Sequence, residues 1–141
     1  MFPQKSTIVG SLLLPEIPIQ EATLGGNSIN DGTCTLYQVT KDVVTVECLY
    51  HVPEIRCIDW TDCLFENVQS DRVIIFDKIK KVDYKGDSNV NPPLLKLLQT
   101  EKAKKDLPQF AKIAPYLKTP NVMAGLSAAI MTYVRSISLK C

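Results

Sequence analysis

The stretch Leu117–Arg135, LKTPNVMAGLSAAIMTYVR, is the best-organised part of the chain, and its reading sets the fold class. Thr119 is a good N-cap, because its hydroxyl accepts a hydrogen bond from a first-turn N–H that has no helical partner. Pro120 then falls at the first helical position, where its missing N–H is no loss and its fixed φ suits a helix. Val122, Leu126, Ala129, Ile130, Tyr133 and Val134 follow at the spacing of one buried helix face. Gly125, Ser127, Ala128 and Ala129 are small, so a neighbouring element can approach the backbone closely. Gly125 in an interior turn costs roughly 1 kcal/mol relative to Ala, which suggests a packing reason for it. The plain reading is an ordinary core helix; the sharper one is a ridge that a partner covers.

Upstream, PLLKLLQTEKAKKDL (93–107) reads as a second helix, opened by Pro92 and Pro93 and closed by Pro108. KKVDYKGDSNVNPP (80–93) is a polar loop rich in turn formers, and DRVIIFDKI (71–79) has the apolar run of a buried strand. DWTDCLFENVQ (59–69) is a short helix with Asp59 as N-cap, Asp62 in its first turn, and Trp60, Cys63, Leu64 and Val68 on one face. TCTLYQVT (33–40) and VVTVECLYHV (43–52) alternate with period two and are separated by Lys41-Asp42, so a tight hairpin is expected. That pair is not a favoured hairpin turn, since neither residue is Gly or Asn. STIVGSLLL (6–14) is a further apolar strand, PEIPIQEATLGGNSINDG (15–32) a loop, and SISLKC (136–141) a final strand. Strands interleaved with helices predict an α/β fold: one domain over residues 1–141, with a mixed β-sheet of about five strands flanked by helices.

The 141 residues suffice for one ordinary core. With 16 basic and 15 acidic side chains the net charge is +1, which argues against a nucleic-acid or anionic-membrane partner. Lysines do cluster locally, at Lys78, Lys80, Lys81 and at Lys102, Lys104, Lys105, as solvated faces or as a docking surface for an acidic partner. No window approaches the roughly 20 apolar residues of a membrane span. The five cysteines, Cys34, Cys48, Cys57, Cys63 and Cys141, show no paired spacing and no N-terminal secretion signal is visible, so free thiols in a soluble, intracellular protein are expected.

Catalytic signatures are absent: the chain contains no phosphate-binding loop, dinucleotide fingerprint, nucleophile elbow or paired-histidine zinc motif. His51 is the single histidine. Cys48, His51, Cys57 and Cys63 are zinc-ligand types, yet their spacing is irregular and Cys48 and His51 fall on opposite faces of a strand. Asp59, Asp62 and Glu66 share a helix face of the solvated kind. No catalytic residue, cofactor or metal is therefore assigned. Against a binding function stands a small hydrolase- or phosphorylase-like enzyme, using Asp77 and His51 at strand ends.

Three features together resemble the proteasome assembly chaperone 1 family. A strand ends in an aspartate and a lysine–tyrosine loop (VIIFDKIKKVDYKG); a proline and a leucine-rich segment follow (PPLLKLLQT); then comes the Thr-Pro-Asn helix start, running on through Gly125-Leu126 and Ala128-Ala129. The resemblance covers Asp59 to Val134. It implies a non-enzymatic chaperone that pairs with proteasome assembly chaperone 2, holds proteasome α-type subunits and promotes α-ring formation, in the cytoplasm with the nucleus as a second compartment. The tail SISLKC lacks the penultimate tyrosine of the family's docking tail, as a truncated or divergent form would, or one acting through its body alone. The candidate partner interface is the Thr119 helix with its entry: Thr119, Asn121, Met123, Gly125, Ala128 and Tyr133. An adaptor of another complex differs from this reading only in partner identity.

Overall fold

The computed structural model describes residues 7–13, 33–48, 51–86 and 93–138. The chain divides into two compact units, Met1–Gln69 and Ser70–Cys141. The expected loop at 15–32 lies outside the described residues.

In the first unit, β1 (Thr7–Leu13), β2 (Thr33–Thr40) and β3 (Val43–Cys48) form an antiparallel sheet in the order β1-β2-β3. The expected β2–β3 hairpin forms across Lys41-Asp42. Local chemistry compensates for the unfavoured turn pair. The Asp42 amide donates to Thr40 Oγ1 at 3.3 Å. The register also shifts between Gln38↔Val44 and Thr40↔Val43, a bulge at Val39 that adds the twist a tight turn needs. A second bulge lies between Ile8 and Gly10.

That register sets Cys34 opposite Cys48, with Cα atoms 4.4 Å apart, and the two form a disulfide. The expectation of free thiols is corrected for this pair. Their separation of 14 carries no paired-cysteine motif; the hairpin alone makes them neighbours. Cys57 and Cys63 are free.

Cys34 and Leu36, two apart on β2, are buried together with Val52 and one face of α1 (Cys57–Asn67), which packs against β1. The buried α1 residues, Cys57, Trp60, Thr61 and Leu64, recur at helical spacing. Trp60 and Leu64 are buried as expected, whereas Cys63 is exposed. Helix α1 also starts two residues before the expected Asp59 cap, continuing a 3-10 turn at Glu54–Arg56. Asp59 instead sits in the first turn, paired with Arg56 Nη1 at 2.7 Å. The Thr61 hydroxyl donates to the Cys57 carbonyl at 2.7 Å, which satisfies a polar group that is only 2% exposed.

The second unit departs further from expectation. Residues 71–79 form no strand, and Ile74 and Phe76 are 65% and 92% exposed. A strand requires a neighbour for its N–H and C=O groups, and among the described residues none pairs with this run. The sheet thus has three strands among the described residues, all antiparallel, rather than about five in a mixed sheet. The one parallel pairing among the described residues is an isolated bridge, Leu97↔Tyr116, made by Leu97 N–H to Pro115 O (3.0 Å) and Leu117 N–H to Leu97 O (2.8 Å).

That bridge also explains why the helix expected from Pro93 is confined to α2 (Glu101–Asp106). Leu97 is committed to an extended pairing, and Thr100 provides the better start, its Oγ1 accepting from the Ala103 amide at 3.2 Å. Leu94, Leu95 and Leu98 remain exposed. Pro108 ends the helical run as expected and opens a 3-10 turn, Pro108–Lys112.

Helix α3 spans Gly125–Ser138. Its start is five residues later than the Pro120 start that a Thr119 cap suggests. The Thr119–Pro120 peptide is cis, and Asn121 closes a turn through its amide and its Nδ2 to the Lys118 carbonyl (3.2 and 2.7 Å). Side-chain-to-backbone bonding of this kind competes with helix formation. Gly125 sits at the helix start with φ 63°, a conformation glycine adopts freely, so its reading as an interior packing residue is corrected. The stripe survives within the helix: Ile130 is buried, and Leu126, Ala129, Tyr133 and Val134 are half-buried. Val122 falls outside it and is 80% exposed. Ser136–Ser138 belong to α3 rather than to a final strand, and 139–141 lie outside the described residues.

Candidate functional site

The six residues singled out as a partner interface separate into an entry loop and a helix face. In the loop, Thr119 is exposed, Asn121 is half-buried and Met123 is half-buried. Asn121 is the structural pivot. Its Oδ1 accepts from the Lys85 amide at 2.8 Å and its Nδ2 donates to the Lys85 carbonyl at 2.9 Å. One side chain therefore ties the 80–86 turn to the α3 entry, 36 residues away in sequence. The turn itself is closed by Asp83 and Tyr84 amides donating to the Lys80 carbonyl at 3.0 and 3.1 Å.

On the helix, Gly125 and Ala128 are half-buried, and the Ala128 carbonyl accepts from Thr132 Oγ1 at 2.8 Å. Tyr133 is half-buried, with its carbonyl accepting from Ser136 Oγ at 2.7 Å. The small residues Ser127, Ala128 and Ala129 follow one another at intermediate exposure, just before the buried Ile130.

A feature that sequence spacing did not single out lies beside the entry loop. Tyr84, Lys85, Gly86, Lys96, Lys118 and Thr119 line a cleft of about 200 Å³. Its lysines are scattered in sequence and belong to neither of the clusters noted above; only the tertiary contacts assemble them. The Tyr84 ring lies so close to Gly86 that a Cβ there would meet it.

Burial, with a further contribution from Glu54, pushes the Cys57 thiol above its usual range; Cys57 Sγ donates to the Pro53 carbonyl at 3.4 Å. A thiol held protonated is a poor nucleophile and a poor metal ligand. Cys48 is consumed by the disulfide, and among the described residues no group of three or more metal-ligating side chains forms. His51 is exposed in the first unit; Asp77 is exposed in the second, its Oδ1 accepting from the Lys78 amide at 2.7 Å. In the second unit Lys104 and Glu101 form an i,i+3 ion pair, which lowers the carboxyl and raises the ammonium from their ordinary values. No helix among the described residues is long and apolar enough to cross a membrane.

The family model described as Proteasome assembly chaperone 4 matches residues 9–140, and the chain belongs to that proteasome assembly chaperone family. Among curated relatives, it is similar to Proteasome assembly chaperone 1 of Xenopus tropicalis, 26% identical over 108 residues covering 72% of this chain and 36% of that protein. It is also similar to Proteasome assembly chaperone 1 of Nematostella vectensis, 24% identical over 119 residues covering 80% of this chain and 45% of that protein. The chain thus spans less than half the length of these relatives. No solved structure matches it significantly.

Proposed function

We propose that the chain promotes assembly of the proteasome α-ring by binding α-type subunits, in a heterodimer with a proteasome assembly chaperone 2-like protein. The observation that carries this reading is the family match over residues 9–140. Ile74 and Phe76, in the open in a run that pairs with no strand among the described residues, support it, since exposed apolar side chains are what a partner subunit covers. Action is by shape complementarity and polar contacts, without bond chemistry. The contact surface is the α3 ridge and its entry, with Thr119, Asn121, Met123, Gly125, Ala128 and Tyr133 as its residues, and the place of action is the cytoplasm and nucleus.

An affinity pull-down of the tagged chain from a eukaryotic lysate, resolved by mass spectrometry, tests the reading. Recovery of a second assembly chaperone with α-type but not mature β-type proteasome subunits is the expected result; recovery of neither from a folded bait overturns it. Ala128→Trp, which plants a large side chain on the ridge, is expected to abolish heterodimer recovery while α3 stays helical by circular dichroism. Unchanged recovery would remove the ridge from the interface and leave α3 a framework helix.

A further inference from the structure

The two sulfurs of the hairpin disulfide stand in unequal surroundings. Cys34 lies on β2, the central strand, between Leu12 of β1 and Cys48 of β3. None of its surface is exposed. Cys48 is the last residue of β3, an edge strand among the described residues, and it is only half-buried. A small molecule arriving from solvent meets Cys48 first.

The free thiols among the described residues offer no internal route to the pair. Cys57 is buried with its Sγ donating to the Pro53 carbonyl, and burial keeps it in the protonated form, which does not attack a disulfide. Cys63 is exposed, off the buried face of α1 that Cys57, Trp60, Thr61 and Leu64 make. Neither is both buried with the pair and ready to attack, which leaves a thiol in solution as the reagent.

We infer that Cys48 is a thiol-exchange site for small thiols and disulfides of the glutathione class, with Cys34 as the internal partner that leaves or closes. In the reducing direction an external thiolate attacks Cys48 Sγ and the Cys34–Cys48 bond breaks. Its electron pair goes to Cys34 Sγ, which takes up a proton. A second external thiol then attacks the outer sulfur of the Cys48 mixed disulfide, releasing the external disulfide and the Cys48 thiol. The sum is one protein disulfide and two external thiols giving one protein dithiol and one external disulfide. Oxidation runs the same steps backwards. Cys48 first takes up the external group, and Cys34 then displaces it.

Burial slows the opening step, since the charge that develops on Cys34 as the bond breaks is not solvated. The β2–β3 register speeds the closing step, because it keeps Cys34 opposite Cys48. The Cys48 adduct is therefore short-lived while Cys34 is present and lasting without it. The inference does not depend on which complex the chain serves.

The experiment treats the oxidised full chain with reduced glutathione, quenches aliquots in acid and maps the adduct by mass spectrometry. Expected is glutathione on Cys48 with a free thiol at Cys34; glutathione on Cys34 as often as on Cys48 would overturn the assignment. A second arm gives glutathione disulfide to the reduced variants Cys34→Ala and Cys48→Ala. Cys48 of the first should be modified at least about tenfold faster than Cys34 of the second. Buried Cys57, unmodified, reports that the core is closed. Equal rates with Cys57 protected, or no adduct on Cys48 of Cys34→Ala, would overturn the site. Modification of Cys34 only where Cys57 is modified too marks an opened core and upholds the direction of exchange.

Discussion

The two units of this chain make a natural comparison. In the first, a three-stranded sheet and α1 bury Cys34, Leu36, Val52, Cys57, Trp60 and Leu64. In the second, only Ala114 and Ile130 are buried among the described hydrophobic residues, while Ile74, Phe76, Val82, Leu95 and Ile113 stand open. Both sequences are apolar enough for a core. The difference lies in pairing: β1, β2 and β3 satisfy one another's backbone groups and present one face to α1, whereas residues 71–79 have no strand partner among the described residues.

The largest expected effect tests whether the first unit's core is the closed one. Trp60→Ala should destabilise that unit by about 3–5 kcal/mol in urea unfolding followed by circular dichroism, because a 3%-exposed indole leaves a cavity its neighbours cannot fill. Trp60→Phe should cost clearly less. Among the described residues Trp60 Nε1 is buried without an acceptor, and deleting an orphan donor recovers part of a penalty of about 1–3 kcal/mol. If Phe is as damaging as Ala, the indole nitrogen has a partner and the account of the site is wrong.

Opening the Cys34–Cys48 disulfide comes next. Its separation of 14 closes a loop for which chain-entropy arguments give about 3 kcal/mol, so reduction should lower protection from hydrogen exchange in β2, β3 and α1 while the second unit is unchanged. Equal loss in both units would end the division drawn between them.

Asn121→Ala should have a smaller effect, about 1–3 kcal/mol and confined to the second unit, since it deletes the bonds to the Lys85 backbone and to the Lys118 carbonyl. Faster exchange of the Lys85 amide is the specific readout. Asn121→Asp retains the acceptor but not the donor and should fall between.

The smallest effect is a pH dependence of α2. The hydrogen bond from Lys104 lowers the Glu101 carboxyl, so its contribution is present above the unfolded carboxylate value and is lost as pH falls through the lowered folded one. Lys104 is raised by the same bond, so its contribution is present below the unfolded ammonium value and lost as pH rises through the raised folded one. Amide chemical shifts of Lys102–Asp106 should therefore hold steady near neutrality and fray in strong acid and strong base. Glu101→Gln should remove the acid limb and weaken the base limb with it, since the same bond raises Lys104; persistence of the acid limb would assign it to another group.

Sequence alone determined what depends on near neighbours. Period-two alternation fixed β2, β3 and the hairpin at Lys41-Asp42, and helical spacing fixed the buried positions Trp60 and Leu64 and the α3 stripe around Ile130. The order of the Asp77, lysine–tyrosine and Thr-Pro-Asn features likewise pointed to the family that the full match establishes. Tertiary structure decided whatever depends on a distant partner. A run such as VIIF reads as a strand whether or not a neighbour exists to bond it, so its exposure was invisible locally. Thr119-Pro120 is a sound helix start by its own chemistry, yet Asn121 bonds to Lys85 and moves the start to Gly125. For the same reason the disulfide and the lysine cleft were hidden: Cys34 meets Cys48, and Lys85 and Lys96 meet Lys118, only once register and loop contacts bring together residues that no fixed spacing relates.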